Sequence, residues 1–138
     1  MKKTITTTLL TLLTFQFAKA DTPNYSTVYE VKSERAGGEL VRHIKRFDDD
    51  CFDIEILSAK QKWKVTSTLN LCSFEGKSFS NGFADVEFKD ISFKADGLHF
   101  NLSTTPLEPI GEQIRECLIP ISNNKLGKLQ CSDVRTPE

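Results

Sequence analysis

The 138-residue sequence has little of what marks several classes of protein. Its formal net charge is only −1, and because nucleic-acid-binding proteins usually carry a basic excess, we expect no nucleic acid as a partner. Seven glycines and five prolines are too few for a collagen-like or low-complexity chain. Hydrophobic residues make up 38% of the sequence, which is too many for an intrinsically disordered chain. These absences leave a globular protein.

Familiar catalytic motifs are also missing. The sequence has no G-x-S-x-G nucleophile elbow, no glycine-rich phosphate loop and no H-E-x-x-H zinc motif. Its only histidines are His43, in a basic segment that looks exposed, and His99, on the polar face of a predicted hairpin. Neither has a third polar partner at a recognisable spacing. We therefore expect a protein that is not an enzyme and binds no cofactor; a small hydrolase that uses His43 or His99 as acid or base is the alternative.

The start of the chain has the three parts of a secretory signal. Lys2 and Lys3 supply a basic start, residues 4–17 are uncharged and increasingly apolar, and Ala18-Lys19-Ala20 supplies small residues before a cleavage site. The apolar part is shorter than the roughly 20 residues that span a bilayer, so we expect no stable membrane anchor. The sequence predicts a signal peptide over residues 1–20 and one exported domain over 21–138, periplasmic or secreted.

Four cysteines lie in the predicted domain, and the strand pattern selects their pairing. An even number in a small exported chain favours disulfides, and no C-x-x-C pair indicates a metal site. Pairing Cys51 with Cys72 in an antiparallel hairpin puts apolar residues together on one face, Phe52 opposite Leu71 and Ile54 opposite Leu69. Pairing Cys117 with Cys131 leaves the turn-forming segment 122–127 between two strands. We predict these two disulfides.

Turn signals and alternating patterns predict the fold class. Asp96-Gly97 predicts a further hairpin in which Phe93 faces Phe100 and Ile91 faces Leu102. Several such short strands indicate a mainly β fold, a small antiparallel β-sandwich or open barrel stapled by two disulfides. One or two short helices are compatible with this fold, and an α+β arrangement is the alternative.

Three segments are ambiguous in the sequence. Residues 39–47 fit a helix better than a strand, because their apolar positions recur at i, i+1, i+4 and i+7. A strand that follows a turn at Arg35–Gly38 is the alternative for this segment. Residues 107–118 also match helical spacing, although they overlap a predicted disulfide strand. The apolar residues of 86–93 change parity near Lys89-Asp90, which predicts a β-bulge there.

The densest acidic patch consists of three consecutive residues, Asp48, Asp49 and Asp50. Calcium favours several carboxylates, but the run lacks the spaced ligands of a D-x-D-x-D-G loop, so we expect no metal. A solvated turn is one interpretation of the run, and screening of the preceding Arg42, Lys45 and Arg46 is another. The third is a docking patch for a basic partner.

The segment 73–82 is the other candidate for binding. Phe74 and Phe79 lie among serine, glycine and asparagine in a predicted loop that begins one residue after Cys72. A loop held by a disulfide loses less entropy on docking, and aromatic side chains are good anchors. Glu75 would add charge for a basic partner. The competing interpretation is that both rings fold back to cover the core.

Together these patterns predict an exported, non-enzymatic binding protein. Cleavage of the leader would remove three lysines and no acid, leaving 15 basic against 19 acidic side chains, which favours a basic protein as partner. An inhibitor or immunity-type protein that neutralises another envelope protein fits this charge and compartment. The small hydrolase is the alternative function, and an accessory component of a cell-envelope assembly is the third.

Overall fold

The computed structural model describes residues 25–135, so the predicted signal peptide lies outside the described residues. This part of the chain forms antiparallel strands with one short 3-10 turn at Ala59–Gln61. The strands are β1 (Val28–Ala36), β2 (Glu39–Arg46), β3 (Phe52–Ser58), β4 (Lys64–Leu71), β5 (Ser73–Phe74), β6 (Lys77–Ser78), β7 (Phe83–Lys94), β8 (Gly97–Pro106), β9 (Gln113–Ser122), β10 (Lys125–Leu126) and β11 (Gln130–Cys131). No helix within residues 25–135 is long and apolar enough to cross a membrane.

Two main sheets make up a half-barrel. One has the order β1-β2-β3-β4 and the other the order β10-β9-β8-β7, with β11 added beside β9 and the β5–β6 hairpin separate. On one side the sheets meet through β4 and β10, where the Leu126 amide donates to Ser67 Oγ at 3.2 Å. On the other side the edge strands β1 and β7 lie next to each other. The prediction of a mainly antiparallel β fold is confirmed.

Both predicted disulfides are present, Cys51–Cys72 and Cys117–Cys131. The first closes the β3–β4 hairpin in the predicted register, with Phe52 opposite Leu71 and Ile54 opposite Leu69. The second joins β9 to β11, in which Cys117 and Cys131 face each other directly. Alternation of apolar and polar residues and the cross-link therefore specify the same register.

The preferred helix for residues 39–47 is wrong and the alternative strand is confirmed, because β2 covers Glu39–Arg46 and pairs with both β1 and β3. Its apolar spacing looks helical because the strand is buried on both faces. His43 belongs to the inner face and Ile44 to the outer face, yet they are only 1% and 2% exposed. The helix at 107–118 is also absent, since β9 begins at Gln113 and residues 107–112 form bends and coil.

The Asp96-Gly97 hairpin forms, but its predicted register is wrong by two residues. Phe93 faces Leu98 instead of Phe100. Gly97 is already the first residue of β8, and a Cβ there would lie 2.2 Å from the Ile119 carbonyl oxygen. Glycine is therefore needed for the close approach of β9. The predicted bulge is confirmed by a register shift between Lys89 and Ser92.

The core lies between the two sheets. The Phe52 ring stacks on Phe88 with centroids 4.3 Å apart and meets the edge of Phe100 at 5.5 Å. Fully buried aliphatic residues surround these rings: Ile54, Ile56, Leu98, Leu102 and Ile119. The core therefore fixes β3 and its disulfide, and with them the segments that lead into and out of this hairpin.

Candidate binding surface

The acidic run lies in the connection between β2 and β3. Asp48, Asp49 and Asp50 are all exposed, and the Asp49 carboxylate accepts a hydrogen bond from the Cys51 amide at 3.0 Å. The Cys51–Cys72 bridge follows immediately and ties the end of the run to the end of β4. The Asp49 carboxylate is thus held by a hydrogen bond, and the backbone of the run is tethered at its end by the covalent cross-link.

The segment 73–82, predicted as a loop, contains a tight hairpin. Strands β5 and β6 are joined by Glu75 and Gly76, whose φ angles of 48° and 77° are those of a type I′ turn. The Phe79 amide then donates to the Cys72 carbonyl at 2.9 Å. This bond returns the chain to the disulfide, so both ends of the hairpin are held there.

The acidic run and this hairpin border a common depression of about 210 Å³. Its lining consists of the run, the disulfide and two hydroxyl residues of the segment 73–82: Asp48, Asp49, Asp50, Cys51, Cys72, Ser78 and Ser80. The structure therefore places the acidic run next to the segment 73–82 across the disulfide, although the predicted anchors Phe74 and Phe79 do not line the depression. The Ser78 and Ser80 hydroxyls bond to each other at 2.9 Å, so the carboxylates of the acidic run are the groups at this depression that could bind a cationic side chain.

The preceding basic residues do not neutralise the run. Arg42 Nε donates to Glu55 at 2.6 Å, and Lys45 Nζ donates to Glu30 at 3.3 Å. Arg46 pairs with Asp53 of β3, which also accepts from Asn70. Among residues 25–135 the acidic run has no ion pair, so the screening interpretation is wrong.

Phe74 and Glu75 lie away from the depression. The Arg115 guanidinium lies over the Phe74 ring, 5.3 Å from its centroid, and pairs with Glu75 at 3.2 Å. Both residues are therefore engaged with β9. Phe74 is partly buried beneath Arg115 and offers little surface to a partner in this arrangement, whereas the Glu75 side chain remains exposed despite its ion pair.

Phe79 is a core residue. It is 4% exposed, and its ring meets the edge of Phe88 at 5.7 Å and lies 6.2 Å from Phe83. This is the position given by the core-cover interpretation. In this conformation Phe79 holds the hairpin 73–82 against the core and has almost no surface to offer a partner.

An aromatic pair next to the acidic run was missed in the sequence. Phe47 is 79% exposed, and its ring lies 4.6 Å from that of Tyr29, which is 51% exposed. The bulge between Val28 and Glu30 places Tyr29 outside the regular register of β1. The position of Phe47 directly before three aspartates could have indicated that its ring is exposed. The helical interpretation of residues 39–47 instead placed Phe47 on a buried face.

The expectation that His43 is exposed is wrong. Its ring lies in the interior between Phe52 and Phe93, with centroids 5.2 and 6.1 Å away. Within residues 25–135 neither ring nitrogen has a hydrogen-bond partner, although Nδ1 is 3.7 Å from Glu30. Burial lowers the pKa of His43 to about 4, opposed by the carboxylate of Glu30. His43 is therefore neutral at physiological pH.

His99 is on the surface of the β7–β8 hairpin and is partly exposed. Its Nε2 lies 2.7 Å from Asp96 Oδ1, and this hydrogen bond holds the pKa of Asp96 below its usual value. Ser92 faces His99 across the hairpin, and both line a polar cavity of about 210 Å³. No group of three or more histidine, cysteine or acidic residues in 25–135 is arranged to hold a metal ion.

Comparisons with protein-family models, with curated proteins and with solved structures gave no match for this chain.

Proposed function

We propose that this chain is an exported, non-enzymatic protein that binds a basic protein of the cell envelope and acts as an inhibitor or immunity-type protein. Two disulfides in a chain of this size are consistent with an oxidising, exported compartment. The acidic excess of the segment after the predicted leader favours a basic partner.

One observation carries the proposal. The acidic run Asp48–Asp50 is exposed, has no ion pair within residues 25–135, and is held by a disulfide at the rim of a depression. Adjacent carboxylates repel one another, so an arriving lysine or arginine relieves that repulsion and gains attraction. Three exposed charges of one sign also steer a basic partner to the site and raise the association rate.

The experiment is affinity capture from an envelope extract with three immobilised proteins. The first is the wild type, and the second carries Asp48→Asn, Asp49→Asn and Asp50→Asn. The control removes the same charge elsewhere through Asp85→Asn, Glu108→Gln and Asp133→Asn, all at exposed positions. We expect a stoichiometric basic protein on the wild type and the control but not on the second protein. Equal capture by all three, or no partner at all, would contradict the proposal.

A small hydrolase is the second candidate function, and the His99–Asp96 pair is the observation that favours it. A carboxylate that orients an imidazole is one part of an acid–base site, and Ser92 lies opposite. Hydrolysis of ester or phosphodiester substrates by the wild type, lost in His99→Gln with the fold intact, would favour the hydrolase over the binding protein.

A further inference from the structure

The two sheets do not meet equally well along the β1–β7 side of the half-barrel. At the end of β1 the Gly37 amide donates to the Lys94 carbonyl at 3.1 Å, which closes the seam between the strands. Towards the start of β1 the seam widens into a cavity of about 400 Å³, a volume in the range of ligand pockets. Its lining comes from β1, β2 and β7: Tyr29, Lys45, Val86, Glu87, Phe88 and Lys89.

The edge of β1 is available for pairing at this wide end. Strand β1 is the outermost strand of its sheet, and within residues 25–135 no strand is hydrogen-bonded to its outer side. Lys32, Glu34 and Arg35 lie towards the closed end, where edge charges discourage indiscriminate pairing. The open end presents Tyr29 and Val31, each 51% exposed, and the Glu30 between them is paired with Lys45 at 3.3 Å. The residues along the outer edge of β1 therefore differ between its closed end and its open end, and this difference suits the addition of one specific strand at the open end.

The Tyr29–Phe47 pair stands at the mouth of the cavity. Tyr29 contributes to the cavity lining and at the same time contacts the Phe47 ring, so cavity and aromatic pair form one continuous surface. Exposed aromatic rings of this kind are typical of interaction sites, and they are frequent among the residues that dominate interface affinity.

The negative charge beside the Tyr29–Phe47 pair favours a bound segment that carries a basic side chain. Asp48 follows Phe47 directly in the chain, and partial burial, with smaller contributions from the carboxylates of Glu30 and Asp50, raises the pKa of Tyr29. A lysine or arginine placed here would contact an aromatic face and unpaired carboxylates at once. An acidic or neutral polar segment would have no such gain.

We propose that the wide end of the β1–β7 seam is a docking site for an extended segment of a protein partner, which adds as a strand to β1 and places a basic side chain and an apolar side chain at Tyr29 and Phe47. Strand addition to an exposed sheet edge is an established mode of peptide recognition. The inference rests on the proposed function for the existence of a basic protein partner and adds to it the site and the form of the bound segment.

The test uses random twelve-residue peptides displayed on phage and selected against the full chain with its disulfides intact. We expect the enriched peptides to carry lysine or arginine close to an aromatic or aliphatic residue. Synthetic copies should bind the Tyr29→Ser/Phe47→Ser variant roughly 30-fold more weakly, as for loss of interface aromatics. Trp63→Ser is the matched control, because Trp63 is 54% exposed on the distant β3–β4 connection, and it should leave binding unchanged. Hydrogen exchange of the β1 amides should slow in the complex.

Several results would overturn this inference. They are a failure to enrich any peptide, enriched peptides without basic residues, binding that the double variant does not weaken, and unchanged exchange in β1. A dimer of the wild type that the double variant dissociates would identify a second copy of this chain as the occupant and would also overturn it. Phe47→Ser alone gives the same information should the double variant be unstable.

The proposed function can fail separately. A captured basic protein that depends on the acidic run but not on Tyr29 and Phe47 would leave the proposed function standing and remove the seam as its site. Peptides that bind at β1 while no basic protein is captured would support the docking site and contradict the proposed function.

Discussion

The rings of Phe47 and Tyr29 contact each other with their centroids 4.6 Å apart and their planes tilted by 37°, although both residues are more than half exposed. The contact joins the end of β2 to the start of β1 and lies directly before the acidic run. Two exposed aromatic rings next to unpaired carboxylates cost free energy in an isolated molecule. Such an arrangement is expected where a partner covers the rings and pairs with the carboxylates.

His43 should make the fold sensitive to mild acid. Its pKa is about 4 in the folded state, below the ordinary 6.5, so the unfolded chain takes up a proton first as the pH falls. Stability is therefore complete above pH 6.5 and is lost progressively towards pH 4, by on the order of 2–3 kcal/mol. His43→Leu should flatten this part of the profile in urea unfolding at several pH values.

His43→Leu should not destabilise the protein at neutral pH, because it removes two buried ring nitrogens that have no hydrogen-bond partners within residues 25–135. His99→Gln is the control, because it removes the surface histidine and keeps the buried one. Its free energy of unfolding should still fall nearly as steeply as that of the wild type between pH 6.5 and pH 4. Parallel profiles for the wild type and His43→Leu would show that the buried histidine is not the cause.

Phe79→Ala should lower the free energy of unfolding by roughly 3–5 kcal/mol, as for other buried phenylalanines replaced by alanine. Phe74→Ala should cost clearly less, because Phe74 is only partly buried beneath Arg115. Thermal and urea unfolding measure both. Should Phe79→Ala leave stability unchanged and weaken partner binding instead, Phe79 would be an interface anchor and not a core residue.

Replacing Cys51 and Cys72 by serine should cost about 3 kcal/mol of stability in the chain-entropy model. The bridge spans 21 positions of the chain, against 14 for Cys117–Cys131, so the first replacement should cost slightly more. Partner affinity per folded molecule should fall only for Cys51→Ser/Cys72→Ser, because that bridge alone holds the acidic run. Equal loss of affinity in both variants would point to a general loosening of the fold.

Gly97→Ala should be strongly destabilising although it lies beside a turn. A Cβ at this position would meet the Ile119 carbonyl oxygen at 2.2 Å and push β9 away from β8. Gly38→Ala is the comparison, because nothing lies within 4 Å of a Cβ there and its cost is limited to the left-handed φ of 82°. Similar melting temperatures for the two variants would contradict the close-approach explanation.

The parts of this fold that were predictable from sequence are those in which one strand face is apolar and the other polar. The β3–β4 hairpin satisfies this condition, and its disulfide confirms the register independently. Strand β2 does not, since His43 and Ile44 are buried on opposite faces and give a spacing that resembles a helix.

The surface formed by Tyr29, Phe47 and the acidic run was harder to predict from the sequence, for two physical reasons. The bulge between Val28 and Glu30 decides where Tyr29 points, and a bulge is a feature of pairing between strands. The partners of Arg42, Lys45 and Arg46 lie on other strands, so the unpaired state of the acidic run could not be read from residues 39–50 alone.

The most direct test of binding through the acidic run is the dissociation constant of the captured basic protein for the wild type and for Asp48→Asn/Asp49→Asn/Asp50→Asn, at low and at high salt. Three exposed charge pairs at about 0.2–1 kcal/mol each predict roughly tenfold weaker binding of the variant at low salt. At high salt the two proteins should converge, because screening weakens the same pairs. Equal dissociation constants at low salt would contradict the claim that Asp48–Asp50 recognise the partner.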